Sequence, residues 1–157
     1  MTNAVEVSEQ AASTLRVQAR RSTKHERGGI LIGYRANNRI VVYDALVVED
    51  PQARYAQYTR RSEEAQRELD AWMSCSDDPL LGYVGEWHTH PEPVPPSATD
   101  RAAAAALALR SKEPLALLVA ALQPTDRTVI LHALITGSGP TWARLVKRAQ
   151  VCDIVFS

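Results

Sequence analysis

Residues 91–96 read Pro-Glu-Pro-Val-Pro-Pro. Proline has a fixed φ and no amide hydrogen, so such a run can occupy neither a helix interior nor a central strand. The segment reads as a stiff connection between two blocks of regular structure, a strap or no more than a rigid turn. Before it, residues 80–89 read as a strand. After it, Ser97 begins a helix to about Arg110 whose alanines permit close packing against a sheet.

The remainder of the chain supplies a sheet for that helix to pack on. Ser8 is placed to cap a first helix ending near Arg21, with Ala11, Ala12, Leu15 and Ala19 on one stripe. Residues 28–34 form a short apolar run bounded by glycines, the pattern of a buried strand. Asn37-Asn38 is a turn signal, and residues 39–48 are rich in valine and isoleucine, which makes a hairpin. Residues 51–60 lack a period and read as a surface loop. From Arg61 to about Ser74 the pattern is helical: Glu63 precedes Arg67 on an exposed face, and Leu69, Trp72 and Met73 turn inward. Residues 115–122 and 128–135 read as two more strands about the turn at 123–126. The tail beyond Thr141 divides, since Trp142, Leu145 and Val146 suit a helix and residues 151–156 suit a strand. No repeat, linker or change of composition interrupts the chain. The expectation is a single α/β domain over residues 1–157, a mixed central sheet flanked by helices, long enough to bury a core without staples.

Charge and cysteine usage narrow the partners. Eighteen basic residues balance eighteen acidic ones, so no bulk field draws the chain to nucleic acid or to an anionic membrane. Arg16, Arg20, Arg21, Lys24 and Arg27 crowd the first segment and read as a solvated helix face. Cys75 and Cys152 are far apart and in no CxxC arrangement, which argues against a disulfide framework and a cysteine-rich zinc site. The first ten residues lack the basic and apolar regions of a signal peptide. The longest apolar stretches, 102–109 and 115–122, fall short of the roughly 18 residues needed to span a bilayer. A cytoplasmic protein with no membrane and no nucleic-acid partner is expected.

The chemistry is concentrated around the strap. In Gly85-Glu86-Trp87-His88-Thr89-His90-Pro91, alternate strand residues share a face, so His88 and His90 point the same way. Asp100, in the first turn of the next helix, is placed to add a carboxylate. Three such ligands leave a fourth position for water on a catalytic zinc, where the water's pKa falls to about 7. Each part also has a plain structural reading. The histidines could be merely hydrogen-bonded, and Ser97-x-x-Asp100 also fits a capping box.

Together, His88-x-His90-Pro91 and Ser97-x-x-Asp100 resemble the JAMM signature of the JAB/MPN zinc metalloproteases. Upstream, Glu26-Arg27-Gly28-Gly29-Ile30-Leu31-Ile32-Gly33 resembles the element that carries that family's catalytic glutamate. The resemblance covers about residues 20–135. It implies a cytidine-deaminase-like sheet and one Zn2+ per chain, held by His88, His90 and Asp100. Glu26 would be general base and then general acid, and Ser97 would hydrogen-bond the oxyanion. Gly28 and Gly29 would let the backbone approach closely behind the base. Water would attack directly, without a cysteine nucleophile. The strap is one residue shorter than the family's usual interval. Glu86 shares the strand face of His88, as a residue orienting a histidine, a rival base or a rim residue in a salt bridge.

The string from Gly85 to Glu92, the strap and the small size further resemble the bacterial JAB isopeptidases of CBASS antiphage operons. There an E1/E2-like ligase joins the C-terminus of a cGAS-like nucleotidyltransferase to targets, and the JAB enzyme removes it. This implies an extended C-terminal tail as substrate, in a mode akin to strand addition. Tyr55 and Tyr58 are candidate substrate contacts, although an ordinary loop with half-buried tyrosines reads equally well. Alternatives are a JAB protease acting on a ubiquitin-like or sulfur-carrier protein, and an inactive MPN-type binding scaffold. RadC-like proteins share the histidine pattern, but the Glu26 element and the neutral net charge disfavour them. A zinc deaminase would need a Pro-Cys-x-x-Cys partner, which is absent.

Overall fold

The strap joins two neighbouring strands through a helix. In a computed structural model, β4 (Gly82–His90) leads into the strap, α3 (Ala98–Arg110) follows, and β5 (Ala116–Leu122) lies parallel to β4. The structure describes residues 4–22, 24–49, 62–111, 113–136, 150–151 and 153–157. The other elements are β1 (Ala4–Val7), α1 (Glu9–Arg21), β2 (Gly28–Ala36), β3 (Arg39–Val47), α2 (Ser62–Cys75), β6 (Val129–Ile135), β7 (Gln150–Val151) and β8 (Asp153–Phe156). They form a mixed eight-stranded sheet in the order β7-β6-β5-β4-β2-β3-β1-β8. The hairpin β2–β3 turns at Asn37-Asn38, as that pair signals, and β4 runs antiparallel to β2.

Alternation along the strands sorts the core into two faces. On one side Leu31, Val42, Trp87 and Leu118 meet Ala11, Leu15 and Ala19 of α1. On the other, Ile30 and Ile32 meet Ala65, Leu69 and Trp72 of α2, and Leu117, Val119 and Leu134 meet Ala104 of α3. Burying each large aliphatic side chain stabilises by about 1.5–3 kcal/mol. Ser8 caps α1 as its position dictates, accepting the Ala11 amide at 3.1 Å.

The fold class agrees with the sequence reading, and local expectations are corrected at several points. Residues 4–7, for which no element is expected and whose alternation Val5-Glu6-Val7 is short, form β1, parallel to both β3 and β8. Met73 is 41% exposed, because the stripe of α2 that meets the sheet is the narrow set Ala65, Leu69 and Trp72. Leu80 lies in a turn tied by its amide to Asp78, so β4 starts later than its apolar pattern suggests. Among the alanines of α3, Ala102 and Ala103 are exposed and Ala104 is buried, so its sheet-facing stripe is narrow. The strand signal at 151–156 is split, with β7 pairing to β6 at one edge and β8 to β1 at the other. The expected loop at 51–60 with Tyr55 and Tyr58, the tail residues Trp142, Leu145 and Val146, and Cys152 lie outside the described residues.

Candidate metal centre

The C-terminal end of β4 delivers two histidines onto the face covered by α2 and α3. His88 pairs with Gly28 on one side and Val119 on the other, in the ladders that hold β4 between β2 and β5. Both rings are buried, at 6% exposure for His88 and 5% for His90. Their Nε2 atoms lie 3.2 Å apart. The strap sets the second ring: Val94 presents its carbonyl to His90 Nδ1 at 3.0 Å. Nδ1 therefore carries the proton and donates it, leaving the Nε2 lone pair aimed at the centre.

Asp100 arrives from the first turn of α3. Ser97 caps α3 and forms a capping box with Asp100: the Asp100 amide donates to Ser97 Oγ at 3.1 Å, and the Ser97 amide donates to Asp100 Oδ2 at 2.6 Å. The box leaves the carboxylate facing both rings, with Oδ1 3.0 Å from His88 Nε2 and Oδ2 3.2 Å from His90 Nε2. The capping reading and the site reading of this motif are thus the same geometry. The shortened strap still closes the gap.

Glu26 comes from the loop before β2, with Oε1 3.8 Å from His90 Nε2. The two carboxylates experience different environments. Burial alone pushes Asp100 up, but hydrogen bonds from His88 and His90, with the Ser97 amide behind them, hold it far below the usual carboxylate range. Burial pushes Glu26 up, and the more distant histidine charges only partly oppose it. His90 is depressed by burial but raised overall, by its hydrogen bonds to Asp100 and Val94 and by the charges of Asp100 and Glu26.

His88, His90 and Asp100 are the group among the described residues whose donor atoms converge as a metal site requires. Two imidazole nitrogens and a carboxylate oxygen are the donor set of a catalytic zinc. Bonds of about 2.0–2.1 Å in a tetrahedron separate neighbouring donors by about 3.3 Å. The observed separations of 3.0–3.2 Å fit a cation of that size.

Of the remaining candidates, Ser97 is exposed at the helix start, with its oxygen engaged by the Asp100 amide. Glu86 is 7% exposed and accepts a hydrogen bond from Tyr83 Oη at 3.3 Å. It does not belong to the converging cluster of donor atoms. Other participants carry no signature in the sequence. His132 on β6 pairs with Val119, which pairs with His88, so the three share one row and one face; burial and then the His90 charge hold His132 below the ordinary imidazole range. The alternation of residues 128–135 could have placed His132 on that face. Thr89 and Trp87 interleave with the histidines and point to the α1 side, where Trp87 Nε1 donates to the Leu46 carbonyl at 3.0 Å. The indole passes Gly29, where a Cβ would lie 1.7 Å from the Leu46 carbonyl oxygen and 2.8 Å from Trp87 Nε1, so this glycine makes room first for the β3 backbone and then for the tryptophan.

The pattern of the prokaryotic homologs of the JAB domain matches residues 8–136. The chain belongs to this family. Over 81 residues it is 38% identical to a protein of Vibrio cholerae serotype O1 described as a CD-NTase/cGAS isopeptidase, an alignment covering 48% of this chain and 49% of that protein. The chain thus spans about half the length of the curated relative it matches. The solution structure of protein DSY2949 from Desulfitobacterium hafniense superposes with a TM-score of 0.70 at 15% identity, covering 98% of this chain and 92% of the other. That likeness establishes the JAB chain's fold alone. No helix among the described residues is long and apolar enough to cross a membrane.

Proposed function

We propose that this JAB chain is a zinc-dependent isopeptidase that releases a protein joined through its C-terminal tail, a cGAS-like nucleotidyltransferase conjugate of an antiphage operon. The observation that carries the reading is the convergence of His88, His90 and Asp100 with the buried Glu26 carboxylate set just beyond bonding distance. The partial identity to a CD-NTase/cGAS isopeptidase supports the substrate class. Zinc held by the two Nε2 atoms and Asp100 would acidify a water and polarise the scissile carbonyl.

The protein's own residues account for the proton and the charge. Glu26, with its affinity for a proton raised by burial, takes the proton of the attacking water and passes it to the leaving amine. Asp100 stays ionised and balances the positive site. Ser97 Oγ accepts from the Asp100 amide, and its own hydrogen is the donor assigned to the oxyanion of the tetrahedral intermediate. No thiol is called for; Cys75 lies at the end of α2, outside the cluster. Tyr55 and Tyr58 are assigned to the substrate tail, and an E1/E2-like ligase is the enzyme that makes the conjugate. The setting is cytoplasmic.

The test measures metal and hydrolysis together. Chain purified without chelator should hold about one zinc, and His88→Ala should lose it. Glu26→Gln should keep the zinc and fail to cleave a nucleotidyltransferase-tail conjugate. Zinc-free chain that cannot be reloaded, or a Glu26→Gln chain that cleaves normally, overturns the assignment.

A further inference from the structure

Between the two histidines stands Thr89, fully buried and facing away from them. Its amide donates to the Arg27 carbonyl at 2.8 Å. In an antiparallel ladder the Arg27 amide would answer on the Thr89 carbonyl. It donates instead to the Thr89 hydroxyl, Oγ1, at 2.9 Å. That hydroxyl spends its own hydrogen on Ser22 Oγ at 2.7 Å, and Ser22, 2% exposed at the end of α1, donates onward to the His25 carbonyl. Each hydroxyl gives one hydrogen bond and accepts one, so the relay is complete.

The relay grips the chain on both sides of Glu26. Arg27 is held through both of its backbone groups and His25 through its carbonyl, while Glu26 itself precedes the start of β2. A catalytic carboxylate on a loop needs such support, since a misplacement of about 1 Å can cost about a hundredfold in rate. The anchor is the residue between the two ligands, so a single strand segment sets the position of base and histidines alike.

We infer that Thr89 and Ser22 are positioning residues whose paired hydroxyls hold Glu26 in register with His88 and His90. The inference rests on Glu26 being the base.

Cobalt(II) serves as the probe, because its visible absorbance reports the surroundings of the bound ion without any substrate. Wild type, Glu26→Gln, Thr89→Val, Thr89→Ser and Ser22→Ala are each loaded with Co2+, and absorbance is followed against pH. Thr89→Val and Ser22→Ala should bind Co2+ in the wild-type ratio, since every ligand is retained. Their pH midpoints should move in the same direction as that of Glu26→Gln, by about one unit, a tenfold change in the proton equilibrium. Thr89→Ser, which keeps the hydroxyl, should return to the wild-type midpoint. If Glu26→Gln shifts the midpoint and neither Thr89→Val nor Ser22→Ala does, the positioning role is wrong and the base stands. If Glu26→Gln itself leaves the midpoint unmoved, base and positioning fall together. Should Thr89→Val fail to fold, Ser22→Ala decides alone, because it removes one link and leaves the strand intact.

Discussion

Gly29→Ala is expected to be among the most damaging single-methyl additions this chain can receive. Gly29 lies in β2 between Val47 of β3 and Trp87 of β4, one residue from the row that holds His88. A Cβ built there falls 1.7 Å from the Leu46 carbonyl oxygen, 2.9 Å from its carbon and 2.8 Å from Trp87 Nε1. Two of these neighbours are backbone, so no rotamer change relieves the clash. Forcing a methyl into a packed site costs about 1–3 kcal/mol. Displacing the fully buried indole from the Leu46 carbonyl leaves its N–H without an acceptor, about 1–3 kcal/mol more. The sum, about 2–6 kcal/mol, is a large part of the 5–15 kcal/mol typical of a domain. Urea unfolding of the metal-free variant, read as a drop in midpoint at constant slope, measures it. The double variant Gly29→Ala/Trp87→Phe removes the indole N–H but keeps the collision with Leu46, so it should recover no more than about half of the loss. A Gly29→Ala chain within about 0.5 kcal/mol of wild type, or full recovery in the double variant, would refute the reasoning.

Three further expectations concern the site. Ser97→Ala should lose about 1 kcal/mol of helix capping and also lower kcat with KM unchanged, whereas Ser97→Gly should restore most of the cap. Hydrolysis equally low in both variants identifies the hydroxyl as the oxyanion donor; recovery in Ser97→Gly would reduce it to a cap. Metal uptake should compete with a proton on His90, whose raised pKa places the loss of affinity, as pH falls, above the ordinary imidazole value of 6.5. A zinc titration from neutral to acid pH checks this. In the metal-free chain the linkage has a definite sign. The His90 contribution is full below 6.5 and fades as pH rises through the higher folded value, while the Asp100 contribution is full above 3.8 and fades as pH falls through its lower folded value. Chelated chain should therefore be favoured between those two values relative to His90→Gln, a preference that Tm against pH reads directly.

The legible parts of this protein were those where one residue type has one physical use. The prolines at 91, 93, 95 and 96 rule out a helix interior and a central strand, and Ser8 and Ser97 mark helix starts where the structure has them. The alternation His88-x-His90 puts both rings on one face by strand geometry alone, and the structure brings Asp100 and Glu26 to it. Features that depend on a distant partner were not legible. The strand 4–7 acquires its role from β3 and β8, which flank it in space. The exposure of Met73 follows from how narrow a stripe α2 presents to the sheet, which no helical period specifies. The Thr89 relay and the crossing of Trp87 over Gly29 need the register of β2 against β4, and register is a property of the pair.

The proposed division of labour between the two carboxylates has a physical basis beside the motif. Asp100 and Glu26 face the same imidazoles and are both partly buried, so burial raises each. What separates them is direct contact. Asp100 meets each imidazole at 3.0–3.2 Å and takes the Ser97 amide as well, which outweighs burial and keeps it charged. Glu26 stands off at 3.8 Å from His90, where the attraction is weaker and burial prevails. A carboxylate held ionised suits a ligand, because it need not lose a proton to bind a cation. One with a raised affinity for protons suits a base that must take a proton and return it. Paired groups whose environments push their pKa values apart identify acid–base roles in general. Here the capping box holds Asp100 in contact with both rings, while Glu26 stands 3.8 Å from His90 on the loop that the Thr89–Ser22 bonds flank.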